Sequence, residues 1–215
     1  MLTMTKAGKS AETRNRLLDA ARDVIRAKGY NATTVDDVCV AAGVTKGGFF
    51  HHFVGKEQLG VAAIEAFDAM AETLFGAAPY QALPDPRDRV LGYVDLRAAM
   101  IEGDIARFSC LMGTIVQEAY ATHPLLRAAC EHGMSNHVAM LARDIHAAKQ
   151  LYAPDASWSV ESVAYFIQAA LQGAFIFAKA KQSNALAREC LAHLRRYLET
   201  ILGEPLKVKC GAEKR

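Results

Sequence analysis

Cysteine is sparse in this chain and follows no paired pattern. The 215 residues include five cysteines, and no Cys-x-x-Cys pair stands among them. An odd count without close pairing fits reduced, cytosolic thiols that act mainly as small apolar residues. A redox-sensing role for one of them is the less favoured alternative. The cysteines are Cys39, Cys110, Cys130, Cys190 and Cys210.

The chain also lacks a long uninterrupted apolar run. Its most apolar stretch, 163–180, is broken by Gln168, Gln172 and Lys179, so it is a poor membrane span and a good buried helix. The first ten residues are polar and basic without an apolar centre, which excludes a signal peptide. We therefore expect a cytoplasmic protein with no membrane partner.

Catalytic and metal-binding motifs are missing. The sequence contains no G-x-G-x-x-G, P-loop, G-x-S-x-G or H-E-x-x-H pattern, and its acidic residues are scattered as on solvated helix faces. His132 and His137 are five apart on an expected helix and so point in different directions, which argues against a metal ion bound by both. An enzyme, a metal site and a cofactor are therefore not predicted.

Net charge is small but unevenly placed. The whole chain carries +2, which by itself would not suggest nucleic acid. Residues 1–60 hold nine Lys and Arg against six Asp and Glu, whereas residues 61–215 hold sixteen against seventeen. The positive excess thus lies on the N-terminal part, as the electrostatic footprint of a nucleic-acid-binding module would.

Helical spacing of apolar residues runs through the chain, and alternating strand patterns and repeats are absent. An all-α fold is predicted, with a three-helix helix-turn-helix domain over 11–55 and a larger helical domain over 56–203. A flexible basic arm at 1–10 and a disordered tail at 204–215 complete the division. Outside the helix-turn-helix pair, helices are expected over about 11–28, 56–75, 87–101, 108–120, 125–151, 160–181 and 185–202.

Residues 33–53 read as two short helices joined by a tight turn. Thr33 or Thr34 can cap the first helix, and Gly43 stands where a left-handed residue ends a helix at little cost. Thr45 can cap the second helix. Phe49 and Phe53 are four apart, so they share one face, which we assign to the interior.

The remaining side of the second helix carries Lys46, Gly47, Phe50 and His51, with Gly48 and His52 at its flanks. Two glycines in a short helix are costly, unless the backbone must approach another surface closely. A DNA major groove, which receives the start of the second helix in helix-turn-helix proteins, is such a surface. The alternative is a helical hairpin in an ordinary bundle.

Residues 44–53, with Lys56, Glu57 and Leu59 after them, resemble the recognition segment of the TetR family of bacterial repressors. Residues 17–21, 28–30 and 33–35 resemble that family's first helix and the entry to its second. The resemblance covers about residues 11–60. Beyond it, the chain is similar to the family in length and all-helical character.

The resemblance implies nine DNA-contacting residues. Thr34 would bond a phosphate, and Lys56 would meet another at the start of the fourth helix, where the helix dipole also attracts an anion. The residues expected at the groove or its edges are Thr45, Lys46, Gly47, Gly48, Phe50, His51 and His52.

Three positions depart from the family's usual pattern. Phe50 stands where Tyr is usual, which removes one phosphate hydrogen bond but keeps an apolar surface for a thymine methyl group. Gly48 stands where relatives often carry a hydroxyl or methyl group, and Val54 where they often carry Pro. These departures bear on affinity and base preference rather than on the mode of binding.

A homodimer is expected, because one recognition helix contacts only a few base pairs and specificity normally needs two half-sites. The helix over 160–181 is apolar on two sides, so one side should pack inside its own subunit and the other against a partner. A fully internal core helix is the alternative. The expected interface residues are Phe166, Gly173, Ala174 and Phe177.

Family resemblance further implies a small-molecule effector in the larger domain that releases operator DNA, with the fourth helix joining the two sites. Repression is the default that the resemblance implies, with activation as the alternative. A ligand carrier without DNA binding is a rival function. Candidate pocket residues, each also readable as plain core or surface, are Phe67, Met70, Met100, Phe108, Met112, Gln117, His137, Tyr165 and Gln168.

Overall fold

The fold is helical throughout residues 6–203, the part of the chain that this computed structural model describes. No strand occurs within that range, so the all-α prediction is confirmed. A short 3₁₀ helix, Pro79–Ala82, interrupts the loop after the fourth α-helix. The α-helices are α1 Lys6–Lys28, α2 Val35–Ala42, α3 Lys46–His52, α4 Lys56–Gly76, α5 Pro86–Ala99, α6 Ile105–Phe108, α7 Leu111–Ala119, α8 Pro124–Tyr152, α9 Val160–Lys181 and α10 Asn184–Leu202.

Two predicted boundaries are wrong. Helix α1 begins at Lys6 rather than near Ala11, because the one glycine in that stretch costs only about 1 kcal/mol and no proline intervenes. The expected helix over 108–120 is divided at Ser109 and Cys110, which are extended, and Cys110 caps α7 by accepting the N–H of Gly113. The rest of the predicted arm, 1–5, and the predicted tail, 204–215, lie outside the described residues.

Two hydrophobic clusters hold the fold together. One joins α5, α8, α9 and α10 in the C-terminal part of the chain. The other lies beneath the helix-turn-helix pair and crosses the expected domain boundary, because side chains of α7 and α8 enter it. Helices α7 and α8 therefore pack against the N-terminal helices. Its members include Leu17, Ile25, Tyr30, Phe49, Phe53, Leu111, Ile115 and Leu126.

Within residues 6–203, α9 is long and apolar enough to cross a membrane by length and composition, and 33% of its most apolar window is buried. The core helix of a globular protein passes the same test, so this is weak evidence for a span. Val163, Ile167 and Leu171 of α9 are buried in the C-terminal cluster. That side of α9 faces its own subunit, as expected.

Candidate nucleic-acid interface and internal cavity

Thr34 begins α2 with a reciprocal capping box. Its hydroxyl accepts the N–H of Asp37 at 3.2 Å and donates to the Asp37 carboxylate at 2.6 Å. That carboxylate also accepts the backbone N–H of Thr34 and the Lys28 ammonium, which together hold the pKa of Asp37 well below its usual range. The Thr34 hydroxyl is therefore engaged within the chain, and its phosphate contact stays a prediction.

A side chain of α1 holds the turn between α2 and α3. Gly43 has φ +62° and ends α2 in the left-handed conformation, as predicted. The Arg16 guanidinium donates to the carbonyl oxygens of Ala42 at 3.0 Å and Gly43 at 2.7 Å. It thus satisfies carbonyls that the end of α2 leaves without helical partners. Sequence analysis did not single out Arg16.

Helix α3 has the predicted inward and outward sides. Phe49 is fully buried and Phe53 nearly so, whereas Phe50 is 56% exposed. Lys46, Gly47 and His51 are also exposed, and Gly48 and His52 lie at the margin. Thr45 caps the helix by accepting the N–H of Gly48 at 3.1 Å. The first turn of α3 therefore presents its backbone and polar side chains to the outside.

The two glycines of α3 differ in the space around them. A Cβ built on Gly48 would lie 2.8 Å from Cγ1 of Val44, so the turn itself requires a small residue there. A Cβ built on Gly47 meets nothing closer than the Thr45 hydroxyl at 4.0 Å. Nothing inside the protein therefore calls for glycine at position 47, and a close approach of its backbone to DNA stays a prediction.

Lys46 forms a surface ion pair with Asp36 of α2, with a distance of 2.9 Å between Nζ and Oδ1. Both side chains are more than 60% exposed. Exposed pairs of this kind contribute little to stability, so a phosphate or base edge can replace Asp36 at small cost. Lys46 is therefore exposed and only weakly held by Asp36, and its contact with DNA stays a prediction.

Lys56 is engaged inside the chain. Its ammonium donates to the carbonyl oxygens of Tyr30 at 3.1 Å, Thr33 at 3.0 Å and Asn31 at 3.4 Å, and lies 4.4 Å from the centre of the Tyr30 ring. An ammonium has three protons to donate, so these three carbonyls occupy all of them. The contact of Lys56 with a phosphate stays a prediction, and the structure adds a role that joins α4 to the α1–α2 loop.

Two histidines end α3 side by side. The rings of His51 and His52 are 5.0 Å apart. Partial burial lowers the pKa of His52, and the neighbouring His51 and Arg14 lower it further. His52 is therefore largely neutral at neutral pH and can donate one hydrogen bond and accept another.

A cavity of about 120 Å³ is lined by residues of α1 and of α4 to α9. Gln117 lies elsewhere, because its amide donates to the carbonyl of Gly113 at 2.6 Å along a separate groove. Tyr165 is half exposed on α9 and does not reach the cavity either. The other seven predicted ligand-binding residues line it: Phe67, Met70, Met100, Phe108, Met112, His137 and Gln168.

Three hydrogen-bonded side chains lie along one wall of the cavity. The Tyr93 hydroxyl is 2.8 Å from Nε2 of His137 and accepts the Gln168 amide at 3.0 Å. Burial, and then the charge of Arg97, lower the pKa of His137 to about 4. The imidazole is therefore neutral and polar. Lining residues that sequence analysis missed include Arg26, Asp68, Arg97, Arg107 and Cys110.

Three of the four residues expected at the dimer interface are not buried in their own chain, and their place in an interface stays a prediction. Phe166 and Phe177 are 46% and 58% exposed, and Gly173 has open space where a Cβ would stand. Ala174 is the exception: at 2% exposure it is buried in the C-terminal cluster of its own chain, one step round the helix from the outer face. Its assignment to the interface is wrong for that reason.

Groups of three or more His, Cys, Asp or Glu side chains arranged to hold a metal ion do not occur within residues 6–203. His132 lines a shallow groove with α4 residues, whereas His137 faces the cavity.

Comparisons with known proteins match both parts of the chain. The family profile described as "Bacterial regulatory proteins, tetR family" matches residues 17–63, and that described as "Tetracyclin repressor-like, C-terminal domain" matches residues 86–194. The transcriptional regulator AcuR of Cereibacter sphaeroides is 36% identical over 117 residues, which are 53% of this chain and 52% of AcuR. That alignment therefore spans about half of AcuR.

Longer alignments are weaker in identity. The repressor NemR of Escherichia coli K12 is 24% identical over 191 residues, 88% of this chain and 95% of NemR. A crystal structure of the regulatory protein TetR from Rhodobacter sphaeroides superposes with a TM-score of 0.75 at 25% identity, covering 87% of this chain and 97% of that one.

Proposed function

Because the chain belongs to the TetR family of bacterial regulatory proteins, we propose that it is a homodimeric repressor that a small molecule releases from operator DNA. It is a DNA-binding transcriptional regulator by membership of this family, which is typically non-enzymatic. The proposal adds which residues touch DNA, which face makes the dimer and where the effector binds.

The observation that carries the DNA-binding proposal is the outer face of α3. Lys46, Gly47 and Phe50 are exposed there, while Phe49 and Phe53 fix the helix from behind. The Thr45 hydroxyl still has a proton to donate to a phosphate, because its oxygen only accepts in the cap. Lys46 offers the positive charge, and Phe50 offers an apolar ring to a thymine methyl group.

The dimer proposal rests on an apolar surface of α9 and α10. Phe166 contacts Tyr197 of α10 with ring centres 4.8 Å apart and ring planes tilted by 60°, and Phe177, at helical spacing from Phe166 along α9, is also exposed. Large apolar side chains clustered on a surface usually mark an interface. A two-fold arrangement of this face against its copy would place two α3 helices at two half-sites.

The effector proposal rests on the position of the cavity. Its walls include α1 of the DNA-binding part, α4, which connects the two parts, and α7, which reaches the α1–α2 loop through Glu118. A molecule bound there touches helices of both parts. It can therefore favour one arrangement of the α3 helices over another, which is the requirement for coupling two sites.

The test uses the full-length protein and a duplex that it selects from a random library. Lys46→Ala should weaken binding to that duplex about tenfold, while Lys181→Ala, which removes an exposed lysine at the end of α9, should leave it unchanged. Affinity should also fall steeply with salt, since phosphate contacts release counterions. Parent-like binding by Lys46→Ala would show that α3 is not oriented as proposed.

A further inference from the structure

The cavity contains two cations without anionic partners. Arg26 of α1 is only 8% exposed, and its Nε atom is buried without a hydrogen-bond partner in the part of the chain described. Arg97 of α5 also has a buried Nε atom without such a partner. Neither guanidinium forms an ion pair with any residue from 6 to 203. Buried unpaired charges are costly, so their retention points to an occupant of opposite charge.

Aromatic faces are the main neighbours of these two guanidinium groups. Arg97 lies between Phe75 and Phe175, with its central carbon 5.4 and 5.5 Å from the two ring centres. Arg26 lies 5.9 Å from the centre of the Phe67 ring. Ring faces attract cations weakly but accept no hydrogen bond from the guanidinium edge. The N–H groups of both arginines therefore remain available to a ligand.

The charged groups that line the cavity carry a net positive charge. Burial lowers the pKa of Arg26 to about 10, so it is still protonated at neutral pH. Arg107 adds a third positive charge at the exposed side. The carboxylate of Asp68 also lines the cavity, but it accepts a hydrogen bond from Asn136. His137 is neutral, so the lining carries an excess of positive charge over negative.

The size of the cavity and the polarity of its lining limit which molecules can bind in it. An apolar cavity of about 150 Å³ admits benzene, so a cavity of about 120 Å³ holds a molecule of roughly five or six non-hydrogen atoms. Apart from the arginines, much of the wall is methionine and phenylalanine. A short apolar chain ending in one carboxylate matches both parts of this wall, because a guanidinium binds a carboxylate with two parallel hydrogen bonds.

We propose that the effector is a small organic acid whose carboxylate binds between Arg26 and Arg97 and whose apolar part lies against the methionine and phenylalanine side chains. The role of this acid as an effector rests on the proposed function. Arg26 is in the last turns of α1, three helical turns after Arg16, which holds the α2–α3 turn. An acid drawn to Arg26 therefore acts directly on the helix that positions α3.

The test compares ligands of matched size and different charge on the full-length protein. Butyrate, butyramide and butylammonium are titrated by calorimetry, together with the other straight-chain acids from acetate to hexanoate and their amides. We expect at least one of these acids to bind at least tenfold more tightly than its amide and to raise the melting temperature. The ammonium should not bind. Equal affinity for acid and amide, or no binding by any acid of the series, would overturn the proposal.

Two variants locate the site. Arg26→Met and Arg97→Met keep an unbranched apolar side chain and remove the charge, and each should reduce acid affinity at least tenfold. Arg107→Met, at the exposed side, should reduce it much less. Arg26→Met should keep or raise the melting temperature of the ligand-free protein, because it removes an unpaired buried charge. Unchanged acid affinity in both cavity variants would place the acid elsewhere and contradict the proposal.

DNA binding without any acid is measured separately and tests the proposed function alone. The acid that binds best should then displace the parent protein, but not Arg26→Met, from the selected duplex. An acid that binds in the cavity and leaves the DNA complex intact would contradict its role as effector while leaving the repressor function standing.

Discussion

The Glu118 carboxylate of α7 accepts a hydrogen bond from the backbone N–H of Asn31 at 2.7 Å, across 87 positions of the sequence. Asn31 lies in the α1–α2 loop, which Lys56 holds from the side of α4. Met112, six residues before Glu118 on the same helix, lines the cavity. One short helix thus contacts both the candidate effector site and the loop that leads into the DNA-reading pair.

Removal of this contact should loosen the loop. In Glu118→Ala the amide proton of Asn31 loses its acceptor, so its exchange with solvent should accelerate at least tenfold by hydrogen-exchange NMR, since exchange reports local opening. Glu161→Ala, an exposed acid at the start of α9, is the matched control and should leave it unchanged. If the Asn31 amide stayed equally protected in Glu118→Ala, α7 would not hold this loop.

The two glycines of α3 should separate folding from DNA binding. Gly47→Ala has open space for its methyl group and should stabilise the protein by up to about 1 kcal/mol through helix propensity, yet weaken DNA binding. Gly48→Ala forces a shift at Val44 and should destabilise the turn. Thermal unfolding and fluorescence anisotropy with labelled duplex measure the two effects. Full DNA affinity in Gly47→Ala would show that no surface approaches this position.

Asp36 should act against DNA binding. It pairs with Lys46 on the exposed side of the helix-turn-helix, so it both engages that lysine and adds negative charge next to the expected phosphates. Asp36→Asn should raise DNA affinity several-fold and change the free energy of unfolding little, because the ion pair is exposed. Asp155→Asn, in the exposed loop before α9, serves as the control. A weaker complex with Asp36→Asn would mean that Asp36 itself supports the bound state.

The pH dependence of DNA binding should include His52. Its pKa is lowered in the free protein, chiefly by partial burial, and a nearby phosphate would raise that pKa in the complex. Binding would then take up a proton, so affinity should fall as pH rises through the range where histidine titrates. Anisotropy titrations at pH 6 and pH 8 should show this trend in the parent and in a His146→Gln control. His52→Gln should flatten it, and an equally steep trend there would exclude His52.

The fold was predictable where local sequence patterns decide it. Phe49 and Phe53 share a face because of their spacing, and Gly43 ends α2 because few other residues tolerate its backbone conformation. Both features lie within one helical hairpin. The same local patterns predicted the helices of the larger domain. They failed at Ser109 and Cys110, where two extended residues separate α6 from α7 and no proline or glycine marks the break.

The candidate sites were less predictable, because their geometry comes from contacts between distant parts of the chain. No sequence pattern near Arg16 or Lys56 predicts that their side chains donate hydrogen bonds to backbone carbonyl oxygens 26 positions away. In the sequence, Arg26 and Arg97 have the spacing of ordinary charged residues on helix surfaces. Only the fold places both at one cavity. Ala174 illustrates the opposite error: it was assigned to the outer side of α9, but it is buried in its own chain, because one step along a helix turns a side chain to a different side.

The central claim is that two copies of the chain present their α3 helices to one duplex. A hydroxyl-radical and methylation-interference footprint on the selected duplex tests it most directly, with the mass of the complex measured in parallel. We predict two major-groove contact sites whose centres are about one helical turn, or a small multiple of it, apart, bound by a symmetric assembly of this chain. A single contact site bound by one copy, or a footprint confined to the minor groove, would contradict the account.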